Sequence, residues 1–255
     1  MGAELMSRVI AAVDNSDVSE PVVVMARAVA DALGASVEVL HVVEDEDEAE
    51  RRPVLPGDPA VRVLSGDPVD RLSTVAAEED VVALVVGARS RPGGPRPAGH
   101  VAMGLAGLTD KPVVLVPPGS HPSGQLLTAV VAMEGTPGKA RALQRTVALS
   151  ARAGLEIVVV HVHDEDSIPS FSDQVQHEAE AYATEFFSRH VISAPRMRLE
   201  LRVGIPADEV LAAVESAGAE LVAVGWPQTE DPGRGAVARE ILARSPVAVL
   251  LVALA

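Results

Sequence analysis

The chain has 255 residues, 48% of them apolar, a formal net charge of -15 and no cysteine. That length suits one large domain or two ordinary ones, the absence of cysteine excludes a disulfide frame and thiolate chemistry, and the negative charge argues against general binding to nucleic acid or to an anionic membrane. The opening MGAELMSRVIAAVD lacks the basic flank and apolar stretch of a signal peptide, and runs such as PVAVLLVALA are too short to span a bilayer, so the expectation is a soluble, cytoplasmic protein.

RVIAAV, a short run of Val, Ile and Ala, reads as a buried parallel strand. A helix follows over VVVMARAVADAL, with Pro21 in the first turn, where proline is tolerated, and Gly34 as its stop. SVEVLHVV is the second strand and VRVLSG the third; Asp67 and Pro68 then open a helix whose free amides the Asp67 carboxylate caps. VVALVVG is the fourth strand, and a loop rich in Gly, Pro and Arg leads to a last helix and to the fifth strand, KPVVLV.

The same series then recurs. LLTAVVAMEG and RAGLEIVVVHVHDE repeat RVIAAVDNSD and ALGASVEVLHVVED at one constant offset, which sets Gly154 on Gly34 and His161 on His41. A second register sets ELVAVG on VVALVVG and Gly225 on Gly87, and Ile205 with Pro206 stands where Asp67 and Pro68 do, without the capping carboxylate. Pro137 and Gly154 bracket the first helix of this copy, and SPVAVLLV supplies its last strand. Strands alternating with helices in both copies predict an α/β protein of two tandem, doubly wound, five-stranded parallel-sheet domains of Rossmann-like type. The linker PPGSHPSG, residues 117–124, separates a domain at 6–118 from one at 125–255.

The copies differ between strands two and three. The second carries DQVQHEAEAYATEFFSRH, in which Val175, Ala179, Tyr182 and Phe186 form an apolar stripe at helical spacing. The first has only the acidic, proline-broken EDEDEAERRPVLPGDPA, so the first domain is expected to lack that helix. The sheet face left bare would be covered by the partner domain or by a second subunit in a homodimer. All five aromatic residues lie in the second half, which leaves Val, Leu, Ile and Ala to build the first core.

In an open parallel sheet, ligands gather beyond the carboxyl ends of the strands, where the strand order reverses. The residues expected there are Asp14 after strand one, Val42 and Val43 at the end of strand two, and Gly87 with the loop GARSRPGGPRPAGH. That loop reads either as an anion site, with Arg89, Arg91 and Arg96 next to a helix start, or as a solvated loop. In the second copy Glu134 replaces Asp14, Trp226 and Pro227 follow Gly225, and Glu230 and Asp231 would repel a phosphate.

AAVDNSD before a helix, VEVLHVVE, SGDPVDRL and VVGARS...GHVAMGLAGLTDKPVVLV resemble, in order, the landmarks of the universal stress protein family, here in tandem. The resemblance implies five parallel strands per domain, domains pairing side by side through their last strands, and ATP bound near an Asp after strand one and a motif Gly-x-x-Gly-x9-Gly-(Ser/Thr). Carried over, Asp14 takes the adenine-side role and Gly87 that of the first glycine. Gly99 resembles the later glycine one residue early, with Val101 beyond it, while Ser90 stands where the second glycine belongs and His100 where the hydroxyl residue belongs.

Other groupings are weaker. His161 and His163 with Asp164 at a strand end read as structural or exposed before they read as metal ligands, and EDEDE at 44–48 reads as a solvated turn without the spacing of a calcium loop. No nucleophile elbow, Walker lysine loop or paired acid and base is evident. The combined reading is a non-enzymatic stress-response protein with an adenine nucleotide, ATP, in domain one and an internal dimer partner in domain two. The alternative is an interaction scaffold with both sites degenerate. An adenylyl- or phosphoryl-transferring enzyme would need a catalytic metal site that the sequence does not display.

Overall fold

Short runs of Val, Leu, Ile and Ala suit strands buried on both faces, and the central strands take that form, whereas the two edge strands, VRVLS and MRLELRV, carry charged residues and are only partly buried. A computed structural model describes residues 6–43, 53, 55, 57, 59–89, 98–133, 140–163, 196–227 and 235–254. The first half runs β1 (Arg8–Val13), α1 (Ser19–Leu33), β2 (Ser36–Val43), β3 (Val61–Ser65), α2 (Pro68–Ala76), β4 (Val81–Gly87), α3 (His100–Leu108) and β5 (Val113–Val116). The second runs β6 (Thr128–Met133), α4 (Ala140–Arg152), β7 (Glu156–His163), β8 (Met197–Val203), α5 (Pro206–Ala217), β9 (Leu221–Pro227), α6 (Ala236–Arg244) and β10 (Ala248–Leu254).

All ten strands form one sheet in the order β3-β2-β1-β4-β5-β10-β9-β6-β7-β8. Each half is parallel and has the same internal order, so the duplication read from the sequence is a duplication of topology. The halves meet at β5 and β10, which pair antiparallel through Val113 with Leu251, Val114 with Leu250 and Leu115 with Val249. The carboxyl ends of the strands therefore point one way in the first half and the opposite way in the second.

Local signals hold where the sequence placed them. Asp67 Oδ1 accepts from the Asp70 amide at 3.0 Å and caps α2, while Ile205 gives α5 no side-chain cap. Gly34 and Gly154 both take the left-handed conformation, with φ of 64° and 71°, and each donates its amide back into the helix it ends. A side chain with a Cβ would be strained at either position.

Alternation along the strands sorts the core into two layers. Val9, Ala11 and Val13 face the layer that holds buried residues of α1 and α4, whereas Ile10 faces the layer of α2, α3, α5 and α6. Both layers cross the seam, since Val114 and Leu250 share one and Leu115 and Leu251 the other. Burying each such side chain stabilises the fold by about 1.5–3 kcal/mol. In the first half the buried apolar side chains are Val, Leu, Ile and Ala, with Met25 in addition.

Helices α2 and α3 cross where α3 has a glycine. A Cβ on Gly104 would come within 2.8 Å of Val69 Cγ1, so the approach depends on the missing methyl. At the amino ends of the strands Arg8 donates Nε to Asp80 at 2.6 Å and also pairs with Glu38 and Glu78. Its hydrogen bond to Asp80 raises the guanidinium pKa above its ordinary value, and the same bond holds the Asp80 carboxyl below the usual carboxylate range.

None of the described residues between β2 and β3 is helical, and the apolar stripe expected at Val175, Ala179, Tyr182 and Phe186 lies outside the described residues. Leu55, from that crossover in the first half, is 7% exposed and belongs to the layer of Val9 and Val39. The first half's own chain thus supplies cover on the face for which the sequence suggested a partner domain or a second subunit. The acidic run at 44–48 also lies outside the described residues.

Candidate functional site

Strand order reverses between β1 and β4, where the chain has gone one way to β2 and β3 and returns the other way to β4 and β5. A cleft of about 300 Å³ opens at the carboxyl ends of these strands. That volume lies at the lower end of the roughly 300–1,000 Å³ of small-molecule sites. Its walls are largely apolar, with Val13, Val18, Leu40, Val42, Leu72 and Val86 among them. Polar groups enter from Asp14, Ser16 and Ser19 on one side, and from Arg89 and the first turn of α3, residues 99–102, on the other.

Asp14 is exposed at the point where the chain leaves β1, and its surroundings hold it in one attitude. Its Oδ1 accepts from the Ser16 amide at 2.9 Å and from the Ser16 hydroxyl, the local bonding of an Asx turn. Its amide donates to Ser19 Oγ at 3.1 Å, and the Ser19 hydroxyl donates to the Asp14 carbonyl. Beneath it, His41 is 5% exposed and lies with Nδ1 2.9 Å from the Val13 carbonyl oxygen.

The two glycines of the cleft differ in what requires them. A Cβ on Gly87 would stand 3.1 Å from Val18 Cγ1, so this glycine lets α1 approach the end of β4. Gly99 precedes α3 with φ -69° and ψ 167°, open to any residue, and a Cβ there would meet the Ala88 carbonyl only at 3.5 Å. Its amide donates to that carbonyl at 2.7 Å.

Residues 127–253 match the sequence model of the universal stress protein family. The chain belongs to the universal stress protein family by its second half. The first half repeats that strand order, which makes the protein a tandem of two such domains. A universal stress protein from Archaeoglobus fulgidus is similar in structure over 97% of this chain and 98% of its own, at 17% identity and a TM-score of 0.63. A protein of unknown function from Pseudomonas aeruginosa is similar over 98% of this chain and 93% of its own, at 12% identity and a TM-score of 0.65. A universal stress protein from Archaeoglobus fulgidus in complex with dAMP is similar over 51% of this chain and 98% of its own, at 18% identity and a TM-score of 0.37. No curated protein matches the chain significantly.

Of the residues singled out in this universal stress protein sequence, Asp14, Val42, Gly87, Arg89, Gly99, His100 and Val101 line the one cleft. Val43 does not: it is buried, and its carbonyl accepts from the Gly66 amide at 2.9 Å. Ser90, Arg91 and Arg96 lie outside the described residues. Sequence reasoning passed over Ser16, Ser19 and Val18. The signal available for the serines was their spacing from Asp14, two and five residues on, which suits local hydrogen bonds to a helix start.

At the matching place in the second domain, Trp226 stands where the first has Ala88 and is 5% exposed in the core under α6. The Arg239 guanidinium lies 5.8 Å from its ring centre, within cation–π range. Gly235, before α6, has φ 76°, so here the backbone itself demands glycine, unlike at Gly99. His161 and His163 meet edge to face with ring centres 4.6 Å apart, and Asp164 lies outside the described residues. Among the described residues no helix is long and apolar enough to cross a membrane.

Proposed function

We propose that this chain is a non-enzymatic, cytoplasmic stress-response protein whose first domain, residues 6–118, binds an adenine nucleotide such as ATP, and whose second, residues 125–255, serves as its fixed dimer partner. The observation that carries the reading is the cleft of about 300 Å³ at the strand switch point, with an apolar interior and Asp14, Arg89 and the start of α3 at its rim. An apolar slot suits a purine ring, an acidic side chain can accept from an exocyclic amine, and a helix start beside an arginine favours a phosphate. In this assignment Asp14 and Val42 lie on the base side, and Gly87, Arg89, Gly99, His100 and Val101 on the phosphate side. The nucleotide would tune conformation or partner choice.

The test is mass spectrometry of small molecules released from freshly purified protein, with calorimetry of added ATP. Retained adenine nucleotide, or ATP binding weakened by Asp14→Ala, supports the reading; no binding at millimolar ATP defeats it. One observation favours the scaffold alternative: Asp14 Oδ1 is already engaged by Ser16, so the carboxylate has a structural task of its own. On that reading Asp14→Ala lowers thermal stability and leaves no ligand response to lose.

A further inference from the structure

We infer that Ser19 and His41 are positioning residues of this cleft, acting together on the peptide group that carries Asp14. The inference rests on the reading of the cleft as an adenine-nucleotide site. The peptide unit between Val13 and Asp14 is planar, so its carbonyl and its amide turn as one body. On one side of that unit, the Val13 carbonyl oxygen lies 2.9 Å from His41 Nδ1. A carbonyl only accepts, so the ring donates and Nδ1 carries the proton. On the other side, the Asp14 amide donates to Ser19 Oγ at 3.1 Å.

The two bonds reach the plane from a neighbouring strand and from the start of a helix, so neither element can shift without turning it. Both holders are buried, His41 at 5% and Ser19 at 4% exposure, which keeps water from replacing them. The attitude of this plane sets where the Asp14 side chain leaves the backbone at the mouth of the cleft. The Ser19 hydroxyl also donates to the Asp14 carbonyl, so the peptide on the far side of Asp14 is tied to the same atom.

The second domain supplies an internal comparison. His161 Nδ1 lies 3.3 Å from the Met133 carbonyl oxygen, the counterpart of the His41 contact. Lys139 stands where the first copy has Ser19, and Glu134 where it has Asp14. A lysine side chain has no acceptor, so the second copy's sequence does not carry the Ser19 acceptor at that position.

The experiment is calorimetric titration of the full chain with ATP, for wild type, Ser19→Ala, His41→Phe, His41→Asn and Asp14→Ala, and for Ser19→Ala combined with Asp14→Ala. Ser19→Ala and His41→Phe are each expected to weaken ATP binding about tenfold, the worth of one lost buried hydrogen bond. His41→Asn, whose amide nitrogen replaces Nδ1 as donor, keeps most of the affinity. With Asp14 already removed, Ser19→Ala has no further effect, because it acts through that carboxylate. Wild-type affinity in a folded Ser19→Ala protein, or an equal loss with and without Asp14, overturns the inference and leaves the nucleotide reading standing. Failure of the wild type to bind ATP overturns that reading and the positioning role together. Ser19→Ala decides the matter by itself where His41→Phe does not fold.

Discussion

Val114 and Leu250 pair with each other across the seam, and each holds in its own half the place that the other holds in its half. Val114 pairs with Val85 and Leu250 with Ala223, the residue that the repeat aligns with Val85. The flanking pairs exchange partners, Val113 with Leu251 and Leu115 with Val249. A local two-fold axis therefore passes between Val114 and Leu250, the isologous arrangement of a symmetric dimer within one chain.

Since both core layers cross this axis, the halves are expected to unfold together. Urea unfolding followed by the fluorescence of Trp226, the single tryptophan, should give the same midpoint as far-ultraviolet circular dichroism of the whole chain. Leu250→Ala should cost about 2–5 kcal/mol and move both curves by the same amount. Two separated midpoints would show that the seam does not couple the halves.

The glycines at the cleft should separate a packing requirement from a ligand requirement. Gly87→Ala presses on Val18 and is expected to destabilise the protein by about 1–3 kcal/mol. Gly99→Ser meets open backbone geometry and a favourable capping position, so stability should stay within about 0.5 kcal/mol of wild type. Its affinity for ATP should nevertheless fall, because the added side chain stands where the phosphate approaches the helix start. Thermal melts alongside calorimetry read both quantities, and unchanged affinity in Gly99→Ser would argue against that approach.

At the crossing of α2 and α3, Gly104→Ala is expected to cost about 1–3 kcal/mol by driving a methyl into Val69. Combining it with Val69→Ala should recover part of that loss, since the second change removes the two atoms in the way. A double-mutant cycle of melting temperatures measures the coupling, and strict additivity would mean that the contact is relieved elsewhere.

Acid sensitivity should trace in part to Asp80. Its carboxyl titrates below its ordinary range when folded because Arg8 donates to it. The folded state thus holds the proton less well than the unfolded state. The resulting stability is present in full above the unfolded carboxylate pKa of about 4 and is lost as pH falls through the lower folded value. Asp80→Asn should therefore lower the urea midpoint by a constant amount from pH 7 to about pH 5, and the gap to wild type should close below about pH 4. A gap that widens in acid would contradict this sign.

The strands, the glycine stops at Gly34 and Gly154 and the Asp67 cap were legible because each is written in a few adjacent residues. Asp14, Gly87 and Gly99 were legible as candidates because strand ends and glycine-rich turns mark the switch point of such a sheet. Val42 and Val43 show where that reading loses resolution. Successive strand residues face opposite ways, so only one of two neighbours can look into the cleft, and the choice depends on register with β1 and β3. The bonds among Val13, Asp14, Ser19 and His41 were hidden for another reason, since they join three elements whose approach no local pattern encodes. Leu55 was missed because its neighbours are acidic and proline-rich, whereas its burial is decided by the bare sheet face beneath it.

The two-fold joint also governs how such a chain can change over generations. In a dimer of identical subunits every substitution is made twice, so a side chain that fills one cleft fills both, and a residue that suits only one orientation is lost from both. Here the two partners of the joint are separate stretches of one sequence, and each alters alone. Trp226 and the left-handed Gly235 are established in one copy while Asp14, Ser19 and the extended Gly99 persist in the other. The seam between Val114 and Leu250 asks only that the last strands keep their apolar faces, which leaves the two opposite ends of the molecule free to specialise.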